Sequence, residues 1–382
     1  MIRDPDTHTL LIEGVRRFVS ERLVPAEQQV EDEDDIAPDI LQDMREMGLF
    51  GMTIPQAYGG MGLTTEEEVG IAFELGKTSP AFRSRVGTNN GIGSLGIVLA
   101  GSEPQRQRHL PAMASGDRIA AFALTEPDAG SDAASLKTTA RPVDSGFVIQ
   151  GVKRFITNAP QASVFTVFAR TPASDANGHT ISAFLVERDA PGLSVGPRDH
   201  KLGQRGAHTA DVFFDDVPVS RDALLGQPGE GFRLAMKTLD RGRIHIAAVC
   251  VGMAQRLQAE ALSYALSRKQ FGAPIASFQL IQAQLADSQT EIEAARALVL
   301  DAARRRDEGE DVNMLASCTK LFSSEMLGRV ADRALQIHGG AGYMRDFCVE
   351  RFYRDARLYR IYEGTSQIQQ LVIARQLIKG HA

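Results

Sequence analysis

Two stretches with helical patterning flank one with strand patterning along these 382 residues. That change of grammar limits the fold to a β-rich part set between helical parts. In the first third, Leu11, Val15, Phe18 and Val19 recur at helical spacing, as do Leu41, Met44 and Met47 ahead of Gly48. Gly59-Gly60-Met61-Gly62 interrupts the pattern, and Thr64-Thr65-Glu66-Glu67-Glu68 restarts a helix with a capping hydroxyl and first-turn acids. The acid run from Glu31 to Asp35 reads as a solvated loop or helix end. From about residue 119, Phe147-Val148-Ile149, Ser163 to Ala169, Ile181 to Val186 and Asp211 to Val219 form short β-rich runs, with turns at Ser145-Gly146 and Asn177-Gly178. Farther on, Ile281, Leu285, Ile292, Ala295, Val299 and Ala302 keep the alternation of a helix-bundle seam. The reading is α+β, mainly α, in three domains: 1–118 helical, 119–228 β-rich and 229–382 helical.

Composition removes several function classes. Forty-two basic against 48 acidic residues leave a net charge of −6, which argues against a nucleic-acid surface. No run reaches the length of a membrane span. The first residues carry acids early and lack the basic-then-apolar layout of a secretory signal, so a cytoplasmic location is expected. Cys250, Cys318 and Cys348 are too few and too scattered for a disulfide framework, and the eight histidines include no HExxH, so no metal is expected.

Gly91-Ile92-Gly93-Ser94-Leu95-Gly96 matches the dinucleotide fingerprint G-x-G-x-x-G, but a helical segment precedes it, and close helix packing is the better reading. Thr125-Glu126-Pro127-Asp128-Ala129-Gly130-Ser131-Asp132 follows the apolar run Ile119 to Leu124, exposing hydroxyls and backbone N–H groups at a tight turn. Phe155-Ile156-Thr157-Asn158 sets an aromatic ring beside a hydroxyl and an amide; Phe155 taken alone reads as core. In Ile361-Tyr362-Glu363-Gly364-Thr365-Ser366-Gln367-Ile368, Thr365 or Ser366 caps a helix supported by Leu371, Ile373 and Leu377, and Glu363 taken alone reads as a first-turn acid.

The last three of these motifs, together with Arg268-Lys269-Gln270-Phe271-Gly272 and Gln336-Ile337-His338-Gly339-Gly340-x-Gly342, resemble, in order and spacing, the acyl-CoA dehydrogenases, over essentially the whole chain. The resemblance implies an N-terminal helical domain, a middle β-barrel-like domain and a C-terminal four-helix bundle. It also implies FAD, an acyl-CoA substrate, an electron-transfer flavoprotein as acceptor, a place in fatty acid β-oxidation, and a homotetramer built as a pair of dimers. Leu124, Thr125 and Ser131 would line the flavin or the adjacent pantetheine, and Phe155, Ile156 and Thr157 would hold the isoalloxazine. Phe155 departs from the Trp often found there. Arg268, Phe271, Gln279, Gln336, Gly339 and Gly340 match residues offered to a neighbouring subunit's FAD, and Thr365 and Gln367 match contacts to the adenosine and diphosphate part of FAD.

Desaturation removes a weakly acidic α-proton while the β-hydrogen leaves as hydride. Glu363 matches the family's base, and its backbone N–H, with a cofactor hydroxyl, would polarise the thioester oxygen. Some relatives carry the base instead in the helix bearing Leu239-Asp240-Arg241-Gly242-Arg243, where this chain has Gly242. Asp240, Arg243 and Gly364 are implied near the substrate. Arg83 aligns with the arginine that binds the distal carboxylate in glutaryl-CoA dehydrogenases, although Gly76 replaces the acid that accompanies it there; the plainer reading pairs Arg83 with Glu74 or a helix end. An acyl-CoA oxidase is a competing reading, disfavoured because the additional C-terminal domain typical of those enzymes is missing. A flavoprotein scaffold that binds acyl-CoA without turnover is another, disfavoured by Glu363.

Overall fold

The structure is a computed structural model that describes residues 2–172 and 179–380. The turn expected at Asn177-Gly178 lies outside the described residues.

The N-terminal part holds seven α-helices: α1 (Pro5–Phe18), α2 (Glu27–Glu33), α3 (Pro38–Glu46), α4 (Thr65–Leu75), α5 (Pro80–Thr88), α6 (Leu95–Ala100) and α7 (Glu103–Ala114). Their starts follow the sequence closely. Asp4 accepts from the Thr7 N–H at the head of α1, and Thr64 and Glu67 form a reciprocal capping box on α4. Val15, Phe18, Val19, Ile40 and Met44 enter one core with Phe82 of α5. Helix α4 is buried along most of its length, packing on α1 and on two C-terminal helices, so its Glu68 is carried into the middle of the molecule.

The middle part is a sheet of eight strands: β1 (Ala120–Ala123), β2 (Thr139–Val143), β3 (Gly146–Thr157), β4 (Val164–Pro172), β5 (His179–Glu187), β6 (Leu193–Val195), β7 (Thr209–Ser220) and β8 (Leu224–Leu225). The order is β6-β7-β3-β2-β4-β5-β8, with β1 parallel to β4. Strand β4 is apolar almost throughout and buried on both faces. The β3–β7 ladder slips between Lys153 and Ile156, a bulge that re-aims the side chains there.

The C-terminal part contains α8 (Gly231–Ser267), a hairpin of β9 (Lys269–Gln270) and β10 (Ala273–Pro274), α9 (Gln279–Asp307), α10 (Asn313–His338), α11 (Cys348–Ala356) and α12 (Ser366–Lys379). Helices α8, α9 and α10 pack together, with α12 along α10. Ile292, Ala295, Val299 and Ala302 are buried in the seam, and Ile281 and Leu285 pack at its edge. The apolar face expected to support α12 is only partly covered within the chain: Ile373 is half-buried, Leu371 and Leu377 are half-exposed, and the nearby Ile378 is 69% exposed.

One local reading is corrected and another upheld. The acid run does close α2, with Asp34 left-handed at the C-cap, but it is not simply solvated. Glu31 is buried and pairs with Arg354 at 2.9 Å, Asp34 Oδ1 accepts from Gly206 N–H, and Asp35 pairs with Arg198. The run ties the first part to the other two. The Gly91–Gly96 segment is helical, and a Cβ at Gly93 would lie 2.9 Å from the Thr88 carbonyl and 3.0 Å from Ala120 Cβ. Close packing, rather than phosphate binding, accounts for that glycine. Among the described residues, no helix is long and apolar enough to cross a membrane.

Candidate active site

Glu363 lies two residues before the N-cap Thr365, outside α12, with φ +57°. It is therefore not a first-turn acid. Non-glycine residues rarely adopt this backbone, and it persists only where neighbours fix it. The neighbours are explicit. Gln369 Nε2 donates to the carbonyls of Glu363 (3.0 Å) and Gly364 (3.1 Å), and Lys320 Nζ donates to Gly364 O at 2.7 Å. Gly364 has φ +88°, and a Cβ there would meet Gln369 Nε2 at 2.6 Å. Thr365 Oγ1 accepts from Ile368 N–H, while Ser366 Oγ donates to Glu325, so Thr365 is the cap.

The carboxylate itself is left free. Glu363 Oε2 is shut off from solvent and has no hydrogen-bond partner. Burial pushes its pKa up, against the opposing charges of Arg83, Arg243 and Lys320. Across from it, on α8, a Cβ at Gly242 would stand 2.8 Å from Oε2. A side chain there would displace the carboxylate from its present position. Lys320 is itself buried, and desolvation lowers its pKa to about 8.

Arg243 Nη1 donates to Asp240 Oδ1 at 2.7 Å, and Asn313 Nδ2 donates to the same oxygen at 3.0 Å. Arg83 is buried on α5. Its pairing with Glu74 does not occur, because Glu74 is taken by Arg16 (3.1 Å) and Lys77 (2.7 Å). Arg83 Nε instead donates to His245 Nε2 at 3.0 Å.

The two middle motifs meet on the sheet. Lys153 Nζ reaches Glu126 Oε1 at 2.8 Å and the Leu124 carbonyl at 3.1 Å, and Arg154 N–H donates to Thr125 O at 2.8 Å. The turn after β1 is thereby pinned to β3 beside Phe155. Phe155 is not core: it sits at the bulge with φ +57°, is 58% exposed, and has the Arg154 guanidinium over its ring at 4.9 Å. Ile156 is buried beneath it, and Leu124 is buried under the facing turn. The half-buried Thr125 and Thr157 hydroxyls bond to no other described residue, and Ser131 is exposed.

A third group stands apart. Arg268, Phe271, Gln279, Gln336, Gly339, Gly340 and Gln367 are all exposed, Phe271 by 95% at the tip of the β9–β10 hairpin. A Cβ at Gly339 or Gly340 would have nothing within 4 Å. These residues face open space rather than the Glu363 pocket.

Four contributors had no site reading in the sequence: Lys320, Gln369, His245 and Glu68. A lone lysine at the buried phase of α10, between Ala316 and Leu327, was the one available signal.

Comparison with known proteins covers the whole arrangement. Three family descriptions match in tandem: acyl-CoA dehydrogenase N-terminal domain over residues 5–117, middle domain over 121–217 and C-terminal domain over 229–378. An acyl-CoA dehydrogenase of Bacillus subtilis is 41% identical over 96% of both chains. A 3-(aryl)acrylate reductase of Clostridium sporogenes is 39% identical over 98% of this chain and 99% of its own. The butyryl-CoA dehydrogenase structure from Megasphaera elsdenii superposes with a TM-score of 0.94 at 34% identity, covering 99% of this chain and all of that one. Matched from end to end in sequence and in shape, the chain belongs to the acyl-CoA dehydrogenase family of oxidoreductases.

Proposed function

We propose that the chain carries out FAD-dependent α,β-desaturation of an acyl-CoA thioester, with Glu363 as the base that takes the α-proton. The supporting observation is the carboxylate oxygen that is buried, unpartnered and given room by Gly242. A carboxylate held this way is a stronger base than one in water and has no competing donor. The Glu363 backbone N–H also donates to no described acceptor, which suits it to polarising the thioester oxygen. Gln369 and Lys320 hold the Glu363–Gly364 turn so that acid and N–H stay fixed together.

The residues present suit FAD. An exposed aromatic face at Phe155, unpartnered hydroxyls at Thr125 and Thr157, and an Arg268 guanidinium without an ion pair among the described residues are a donor set for a ring system and a diphosphate. When bound, FAD supplies the acceptor for the β-hydride. Leu124, Thr125, Phe155, Ile156 and Thr157 would hold the ring of the chain's own FAD. Arg268, Phe271, Gln279, Gln336, Gly339 and Gly340 would serve a neighbour's FAD, and Thr365 and Gln367 would contact the adenosine and diphosphate part of FAD. Ser131, Asp240, Arg243 and Gly364 would line the thioester path. The uncovered face of α12 and the exposed hairpin support a homotetramer, and electrons would pass to an electron-transfer flavoprotein in the cytoplasm.

Anaerobic addition of butyryl-, hexanoyl- and glutaryl-CoA to the FAD-loaded protein tests this. Bleaching of the flavin by at least one is expected, with none in Glu363→Gln; near-normal bleaching in the variant would place the base elsewhere. The same panel tests a narrower reading. Arg83 is buried, yet neither terminal nitrogen has a described acceptor, which suits a distal anion on the acyl group. On that reading glutaryl-CoA has the highest kcat/KM, and Arg83→Met abolishes the preference.

A further inference from the structure

Arg83 is anchored in an unusual way. The obvious partner for a buried guanidinium is a carboxylate, and one is close by: Glu68 on α4. Glu68 does not touch Arg83. Its Oε2 accepts from Arg241 Nε (3.0 Å) and Nη2 (2.8 Å), and its Oε1 lies 2.9 Å from His245 Nδ1. The other ring nitrogen, Nε2, accepts from Arg83 Nε at 3.0 Å. A nitrogen that accepts carries no proton, so the ring proton sits on Nδ1, facing Glu68. Helix α5 presses on this contact: a Cβ at Gly87 would stand 2.9 Å from His245 Nε2 and 3.1 Å from Arg83 Nε.

Placing a neutral imidazole between acid and base has a consequence. A direct Arg83–Glu68 pair would hold the guanidinium and cancel its charge. The imidazole holds the guanidinium and leaves the charge available to act on another group. His245 is kept neutral by burial and by the cations Arg83 and Arg241 on either side, against Glu68, which favours protonation. His245 also stands three residues along α8 from Gly242, on the same side of the helix, and a Cβ at Gly242 would lie 2.8 Å from Glu363 Oε2, so the guanidinium that His245 holds is brought to the same pocket as the acid. There its charge opposes the burial of the Glu363 carboxylate.

We propose that Glu68 and His245 are positioning residues that fix the Arg83 guanidinium, uncancelled, within electrostatic reach of Glu363. The proposal rests on Glu363 being the base, and its function is to keep that base ionised at a lower pH than burial alone would allow.

The test is the acidic limb of kcat/KM against pH for butyryl-CoA, in the FAD-loaded enzyme, with flavin content and thermal unfolding measured alongside. Arg83→Met moves the limb up by about one pH unit. His245→Leu moves it the same way, and His245→Gln, whose amide oxygen reaches about as far as Nε2 and stays neutral, largely restores the wild-type limb. In the double variant Arg83→Met/His245→Leu the shift is no larger than in Arg83→Met, since His245 acts only through Arg83. Should His245→Leu fail to fold, His245→Asn, too short to reach Arg83 Nε, takes its place with the same expected shift. A limb unmoved by the His245 break in protein that folds and holds flavin as wild type overturns the proposal, as do shifts that add in the double variant. Failure of the underlying reading is separate: flavin reduction in Glu363→Gln would then be near normal.

Discussion

The pocket around Glu363 and the exposed group around Arg268 are opposite kinds of place. At Glu363 the supports come from α10 and α12 and the clearance from α8, all within one chain, and one carboxylate oxygen, Oε2, is shut off from solvent. At Arg268, Phe271, Gln336, Gly339 and Gly340 the same motif-rich sequence yields exposed side chains, and open space where a Cβ would stand at either glycine. On the proposed reading, these motifs divide into a half-site that one chain completes and a half-site that it only offers. Residues that cost solvation, such as an unpartnered carboxylate, are tolerated in the first half because backbone hydrogen bonds fix the turn. Exposed apolar area at Phe271 and along α12 is consistent with that second half being covered by another surface.

The strongest break of that contrast is at the base. Glu363→Gln keeps shape and FAD, and flavin reduction by acyl-CoA should fall by about a thousandfold in stopped-flow traces. Next comes the clearance opposite it: Gly242→Ala puts a methyl 2.8 Å from the present position of Oε2 and pushes the acid aside, and kcat should fall by about ten- to a hundredfold with FAD content unchanged. On the offered half the order reverses. Arg268→Ala should leave the pH dependence of turnover in place and weaken FAD retention by about tenfold, read by flavin release on dilution.

How far the sequence announced these halves depends on the range of the contacts. Caps and first turns were legible, because Thr64 and Glu67 act over three residues, and the strands were legible as apolar runs between turns. The β3 bulge was not, since alternation around Lys153-Arg154-Phe155 carries no mark of the slipped register, and Phe155 therefore read as core. Leu371 and Leu377 read as a supporting face, but the chain supplies no surface to cover them. The link from Arg83 to His245 spans 162 residues and joins two helices whose own periodicity is satisfied without it, so local pattern could not reveal it.

The smallest expected effect concerns stability. Burial raises the Glu363 pKa, so the folded protein binds a proton more readily there than the unfolded chain does. Stability from this group therefore falls as pH rises from the ordinary glutamate range through the raised value, and the cost is complete above it. Glu363→Gln should unfold at a slightly higher temperature than wild type at neutral pH, and the difference should vanish in acid. Equal unfolding temperatures at both pH values would mean that the carboxylate is not held at a cost.

The central claim, that one half-site is complete in the chain and the other is lent to a neighbour, is tested most directly by mixing two inactive proteins. Glu363→Gln lacks the base and keeps Arg268; Arg268→Glu keeps the base and repels the diphosphate. In a mixed assembly, one kind of site draws its base from the second chain and its arginine from the first, so both groups are intact. Co-expression of differently tagged copies, tandem purification of the hybrids and assay with added FAD should give acyl-CoA-dependent flavin reduction well above that of either parent. Hybrids no more active than the parents would contradict the shared site.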